Sequence, residues 1–163
     1  MIRSARPEDV PELVAFVREL AAYEKAESEV ELDEPRLREV LFGPDPKAFC
    51  LVATPDNSDE PVGFAVWFVT FSTWLGRHGV YLEDLFVRER HRRAGHGRAL
   101  LAALARICVE RGYGRLEWAV LDWNSPAIAF YEALGATAQD EWTVHRLTGA
   151  ALNTLGHRAT APR

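Results

Sequence analysis

Apolar residues recur at Val10, Leu13, Val14, Phe16, Val17, Leu20 and Ala21, the spacing of a helix with one buried face. This predicts a helix over residues 7–24. A shorter helix is predicted over 33–42, with Asp33 as its cap, Pro35 in its first turn and Gly43-Pro44 as its stop. The period then shortens. Residues 2–5 and 48–54 read as strands, and the polar run 55–59 reads as a turn. The unbroken apolar run within 62–71 predicts a strand buried on both faces, and 79–87 predicts another. Helical spacing returns over 97–111 through Leu100, Leu101, Leu104, Ile107 and Cys108. A strand over 115–121, a helix over 124–134 closed by Gly135, and a last strand within 142–147 complete the pattern. The order β-α-α-β-β-β-α-β-α-β predicts an α/β fold, a mixed sheet with helices on both faces.

The 163 residues suit one domain, predicted over 1–156 with a disordered tail at 157–163. Formal charge is −5, from 24 acidic against 19 basic residues, which argues against a nucleic-acid partner and fits a cationic small molecule better. The longest apolar run, residues 64–69, is strand-sized and far short of the ~18 residues of a membrane span. The first residues hold no secretory apolar region, so a cytoplasmic protein with no membrane partner is expected. Cys50 and Cys108 sit in apolar stretches without metal-ligand spacing, so they read as reduced core residues and no metal site is expected.

The most informative segment is Arg92-Arg93-Ala94-Gly95-His96-Gly97, between a strand and a helix. A helix N-terminus offers unpaired N–H groups and positive dipole to a phosphate, and glycines let the backbone curl around it. A dinucleotide fingerprint fails because Leu100 replaces its third glycine and the strand ends too far upstream. A P-loop fails because no Gly-Lys-Ser/Thr follows. Asn124 and Tyr131, seven residues apart, share one helix face; a core-packing role for Tyr131 is the alternative.

Arg-x-x-Gly-x-Gly after an apolar strand resembles the acetyl-CoA pyrophosphate signature of the GNAT acetyltransferase superfamily. Tyr81-Leu82-Glu83-Asp84-Leu85-Phe86-Val87, the run from Trp123-Asn124-Ser125-Pro126 to Tyr131, and Leu20-Ala21-Ala22-Tyr23-Glu24 resemble its spermidine/spermine (diamine) and thialysine acetyltransferase branch. The resemblance implies a mostly antiparallel mixed sheet with splayed central strands and helices on both faces. It implies acetyl-CoA as co-substrate, held by Leu85, Phe86, Val87, Arg92, Arg93, Ala94, Gly95, His96, Gly97, Arg98 and Asn124. Tyr131 is implied as the acid that protonates the CoA thiolate. Glu83 is implied as the carboxylate that binds and deprotonates the amine. Tyr23 and Glu24 are implied as further amine contacts, and a homodimer as the assembly; Asp122, at a strand end, and Trp142, by cation–π contact, are further candidates for the amine.

An alkylammonium of pKa ~10.4 leaves about one molecule in 2,500 with a free lone pair at pH 7, so a nearby carboxylate has a task. Glu83 and Asp84 are neighbours on a strand and are expected to face opposite ways. The expected activity is acetyl transfer to a primary amine of a polyamine or diamine by direct attack in a ternary complex. Thialysine or another lysine-like amine is the alternative acceptor, and a non-catalytic acetyl-CoA sensor the alternative of another class.

Overall fold

The computed structural model describes residues 1–158, which form two compact units meeting in sequence at Ala119 and Val120. The first unit runs β1 (Ile2–Ser4), α1 (Val10–Tyr23), α2 (Glu34–Phe42), β2 (Phe49–Ala53), β3 (Gly63–Ser72), β4 (Arg77–Val87), α3 (His96–Glu110) and β5 (Leu116–Trp118). The second holds α4 (Ser125–Glu132) and α5 (Gly149–His157). The five strands pair in chain order. The first three pairings are antiparallel and β4 with β5 is parallel, the mixed, mostly antiparallel sheet expected.

Strand alternation divides the core between two faces. Cys50, Val52, Phe64 and Phe86 join Val10, Leu13, Val14 and Phe16 of α1 and Leu37 and Leu41 of α2 in one buried cluster. Phe16 stacks on Phe64 at a centroid distance of 5.5 Å. Leu51, Ala53 and Ala65 are buried on the other face, where α3 packs on β2, β3 and β4 through Leu100, Leu101 and Leu104. The helix starts follow the predicted chemistry. The Asp33 carboxylate accepts from the Arg36 amide at 2.9 Å, and the Asn124 side chain accepts from the Ala127 amide at 3.4 Å. Gly135, at φ +87°, ends α4: its amide donates to the Glu132 carbonyl and the Ala136 amide reaches back to Tyr131.

Three expectations are corrected. β3 is buried only through Trp67; Val69 and Phe71 are 37% and 56% exposed. The reason is that β2 pairs only with residues 63–67, so the rest of the β3–β4 hairpin lacks that cover. Residues 142–147 form no strand and pair with no ladder among the described residues; alternation without a partner does not make a strand. Helix α5 was not anticipated, because Gly149 at its start, with φ +58°, reads as a breaker. Of the expected tail, His157 closes α5, Arg158 follows it in a turn, and residues 159–163 lie outside the described residues.

One charge network ties β1, α1 and the β2–β3 turn. Arg3 donates from Nη1 and Nη2 to the buried Asp9 carboxylate at 2.7 and 3.0 Å and from Nε to Asp59 at 3.1 Å. The Arg6 amide donates to Asp9 at 2.7 Å, and its side chain donates to Asp59 at 2.6 Å. Burial alone would push the Asp9 carboxyl up. The hydrogen bonds from Arg3 and the Arg6 amide, with the Arg3 charge, outweigh it and hold that carboxyl below its ordinary value. Stability from Asp9 is therefore whole above about pH 4 and is lost as pH falls through the depressed pKa. Asp9→Asn is expected to cost ~2–3 kcal/mol in urea unfolding at pH 7, because it removes the doubly hydrogen-bonded charge partner of Arg3 and leaves that guanidinium only Asp59, and much less at pH 3. Equal stabilities of the two proteins at pH 7 would contradict this role.

Candidate active site

Strand β4 changes character at one place. Its pairing with β5 covers Val80, Tyr81 and Leu82 and stops there. On the β3 side, Asp84 sits opposite Val66 and Leu82 opposite Trp67, leaving Glu83 as an extra residue at a β-bulge. Beyond the bulge the register continues with Leu85, Phe86 and Val87 opposite Ala65, Phe64 and Gly63. The Arg88 amide donates to the Val62 carbonyl at 3.0 Å. Antiparallel alternation from that bond turns the backbone of Phe86 towards β3 and the backbones of Leu85 and Val87 towards the edge that β5 leaves open. Such an edge accepts an extended, amide-bearing chain as an added strand.

The segment after β4 is shaped for an anion. Gly95 caps α3 in the left-handed region at φ +83°, and Arg93 also has positive φ, +63°. The Ala99 amide makes the first helical bond, to Gly95 at 2.9 Å. The amides of His96, Gly97 and Arg98 therefore stand ahead of it without helical acceptors. With the neighbouring amides of Arg93, Ala94 and Gly95 they suit a pyrophosphate. Arg92 is turned another way. Its Nε donates to the Val87 carbonyl at 2.9 Å, and its guanidinium carbon lies 5.4 Å from the Tyr23 ring centre and 5.8 Å from that of Phe86. These surroundings fit acetyl-CoA: an open edge for the pantetheine amides and an amide nest for the phosphates.

A carboxylate group stands beside the bulge. Burial, then the charges of Glu83 and Glu24, pushes the Asp84 carboxyl up to about 6. Burial also raises Glu24, which caps α1 just after Tyr23. The bulge shifts the register between Leu82 and Asp84; Glu83 is exposed and Asp84 half-buried, near enough for the Glu83 charge to act on it. Asp84 is the functional candidate that sequence reasoning passed over. The register aligns it with Cys50 and Val66 on the α1 face, where a carboxylate has no packing reason to be, and only the pairing of the strands reveals that. Cys50 itself is no nucleophile: burial pushes its thiol up to about 12. Among the described residues no cluster of His, Cys, Asp or Glu suits a metal ion, and no helix is long and apolar enough to cross a membrane.

In the second unit, Asn124 is buried at the cap of α4 and Tyr131 is half-buried on the same helix, against Phe130 at 5.4 Å between ring centres. Asp122 is exposed in the turn before the cap, where the Asn124 amide donates to the Leu121 carbonyl at 2.8 Å. Trp142 is 69% exposed in irregular chain beyond the helix.

The family model described as the Acetyltransferase (GNAT) family matches residues 13–136, and the chain belongs to that family; it is an N-acetyltransferase. It is 37% identical over 164 residues to a thialysine N-epsilon-acetyltransferase of Bos taurus, covering 95% of this chain and 96% of the relative. It is 31% identical over 153 residues to the human spermidine/spermine N(1)-acetyltransferase-like protein 1, covering 89% of this chain and 22% of that one. A solved integron cassette protein from the mobile metagenome of V. cholerae superposes with a TM-score of 0.78 at 27% identity, covering 96% of each chain.

Asp84 gives the site a distinctive pH signature. A carboxyl whose pKa is raised on folding disfavours the folded state once it ionises, so its cost is full above about pH 6 and vanishes below its unfolded value near 4. Asp84→Asn is expected to raise unfolding stability by up to about 3 kcal/mol at pH 8, shrinking towards zero by pH 4. A variant no more stable than wild type at pH 8 would contradict it.

Proposed function

We propose that this N-acetyltransferase moves the acetyl group of acetyl-CoA to the terminal primary amine of a small cationic acceptor of the lysine-like kind, thialysine being the first candidate. The observation that carries the cationic amine, common to both readings, is the group of Glu24, Glu83 and Asp84 beside the bulge, next to the open edge of β4. Full-length similarity to a thialysine acetyltransferase supports the choice of acceptor. A second reading, a polyamine or diamine, draws on the same three carboxylates, which favour a ligand with several positive charges and none negative, and on the spermidine/spermine-like relative.

In either reading the acceptor arrives as an ammonium and must lose a proton before it can attack. Freeing the lone pair at pH 7 costs about 4.6 kcal/mol in water. Glu83 and Asp84 hold the ammonium and receive its proton, directly or through water. Asp84, already close to neutral pH in its titration, is the better matched of the two as acceptor. The amine nitrogen then forms its bond to the thioester carbon while the bond from that carbon to sulfur breaks. The Leu85 or Val87 amide donates to the thioester oxygen as negative charge develops there. Tyr131 delivers its phenolic proton to the departing sulfur and regains one from solvent; a phenol of pKa ~10 against a thiol of ~8.5 makes that transfer only mildly uphill. By resemblance to the family Asn124 serves the cofactor and Tyr23 the acceptor. A homodimer belongs to this reading as well, by resemblance to the branch.

The test is CoA release on a panel of thialysine, lysine, ornithine, putrescine, spermidine and spermine. Preference for thialysine over the polyamines by at least ~10-fold in kcat/KM supports the first reading, and the reverse order replaces it with the second. Tyr131→Phe is expected to lower kcat by ~10²-fold with little change in KM for either substrate. Unchanged turnover in that variant would remove Tyr131 as the acid. No turnover on any amine, with acetyl-CoA still bound, would overturn the assignment of the acceptor.

A further inference from the structure

Arg88 opens the segment that joins β4 to the anion-binding amides, and its side chain turns onto α1. Nε and Nη2 donate to the Glu19 carboxylate at 3.0 and 2.7 Å, and Nη1 donates to Glu12. The guanidinium carbon stands 4.7 Å from the centre of the Phe16 ring. Glu12, Phe16 and Glu19 follow one another along one face of the helix. Only 16% of the Arg88 side chain is exposed, so this is a seated group rather than a solvated one. A planar fork can bridge two carboxylates and lie on a ring between them; a lysine ammonium cannot.

The charge balance matters as much as the geometry. Two carboxylates around one guanidinium leave that locality net negative, so Arg88 contributes little direct attraction to a phosphate. Its backbone is the more consequential part. The Arg88 carbonyl accepts from the His91 amide at 2.8 Å, and the turn so formed leads into Arg92, which is fastened to Val87. The amides of residues 93–98 follow at once.

Building on the acetyl-CoA reading above, we propose that Arg88 is a positioning residue for the cofactor site: by bridging Glu12 and Glu19 it fixes the start of the loop on α1 and holds the amides of residues 93–98 ready for a pyrophosphate. A preset loop spares the ordering cost that binding would otherwise meet. The same bridge makes α1, which ends in Tyr23 and Glu24, the base on which the loop is built.

The proposal makes a prediction of sign. If the carboxylates acted only through their charge, Glu19→Gln would remove a negative group near an anionic ligand and tighten acetyl-CoA binding. If they act by holding Arg88, the same substitution weakens it. We expect Arg88→Met to raise the acetyl-CoA Kd and KM ~10-fold with kcat within about twofold. Arg88→Lys should fall between that variant and wild type, and Glu19→Gln should raise both constants ~2–3-fold. Calorimetry with acetyl-CoA and steady-state CoA release on the full chain read both constants. Glu19 lies at the helix surface, so its variant decides the matter even where Arg88→Met folds poorly. Unchanged or tighter binding in Glu19→Gln would overturn the proposal. Wild-type protein that binds no acetyl-CoA would overturn the cofactor reading itself, a result distinct from wild-type binding with indifferent variants.

Discussion

Backbone N–H and C=O groups need partners, and β4 supplies them on both edges only as far as Leu82. Beyond that residue β3 remains on one side, while the other edge is open among the described residues. The bulge at Glu83 falls at the same place. A sheet that loses a neighbour and gains an extra residue at one point presents both an edge to be completed and a pair of acidic side chains beside it. The segment leading to the N-terminus of α3 begins immediately after that edge. The proposed cofactor and acceptor groups of the first unit are thus consequences of one interruption in the ladder.

Two carboxyls on the α1 side, Asp9 buried and Asp84 half-buried, show how the fold divides stability from chemistry. Asp9 is enclosed by Arg3 and the Arg6 amide, so its charge is welcome and its pKa is held down. Asp84 is enclosed by packing and by other carboxylates, so its charge is resisted and its pKa rises to about 6. The first joins strand, helix and turn; the second stores a cost that the ammonium of the proposed acceptor would relieve. Groups of the second kind concentrate where chemistry is done.

Much of this was legible in the chain. Helical spacing located α1 and α3, Asp33 and Asn124 capped as their residue types require, and Gly95 occupies the left-handed position that its motif implied. Glu83 was legible as a residue type, but its bulge was not, because register is a property of two strands and no single run encodes it. Asp84 was hidden for the same reason: its place opposite Val66, on the α1 face, follows from the pairing and not from its own run of residues. The clamp on Arg88 joins residues 69 and 76 positions apart in sequence, and a basic run ahead of a glycine loop gives no sign of which arginine turns away from the ligand. The apolar alternation in 142–147 misled because strands exist through their partners.

Residue-level amide hydrogen exchange, with and without saturating acetyl-CoA, reads whether the β4 edge after Leu82 and the amides ahead of α3 receive the cofactor. We expect slower exchange at Leu85, Val87 and residues 93–98, with little change at Phe86, whose amide already faces β3. Exchange at Leu85 and Val87 that is unaltered by bound acetyl-CoA would contradict it.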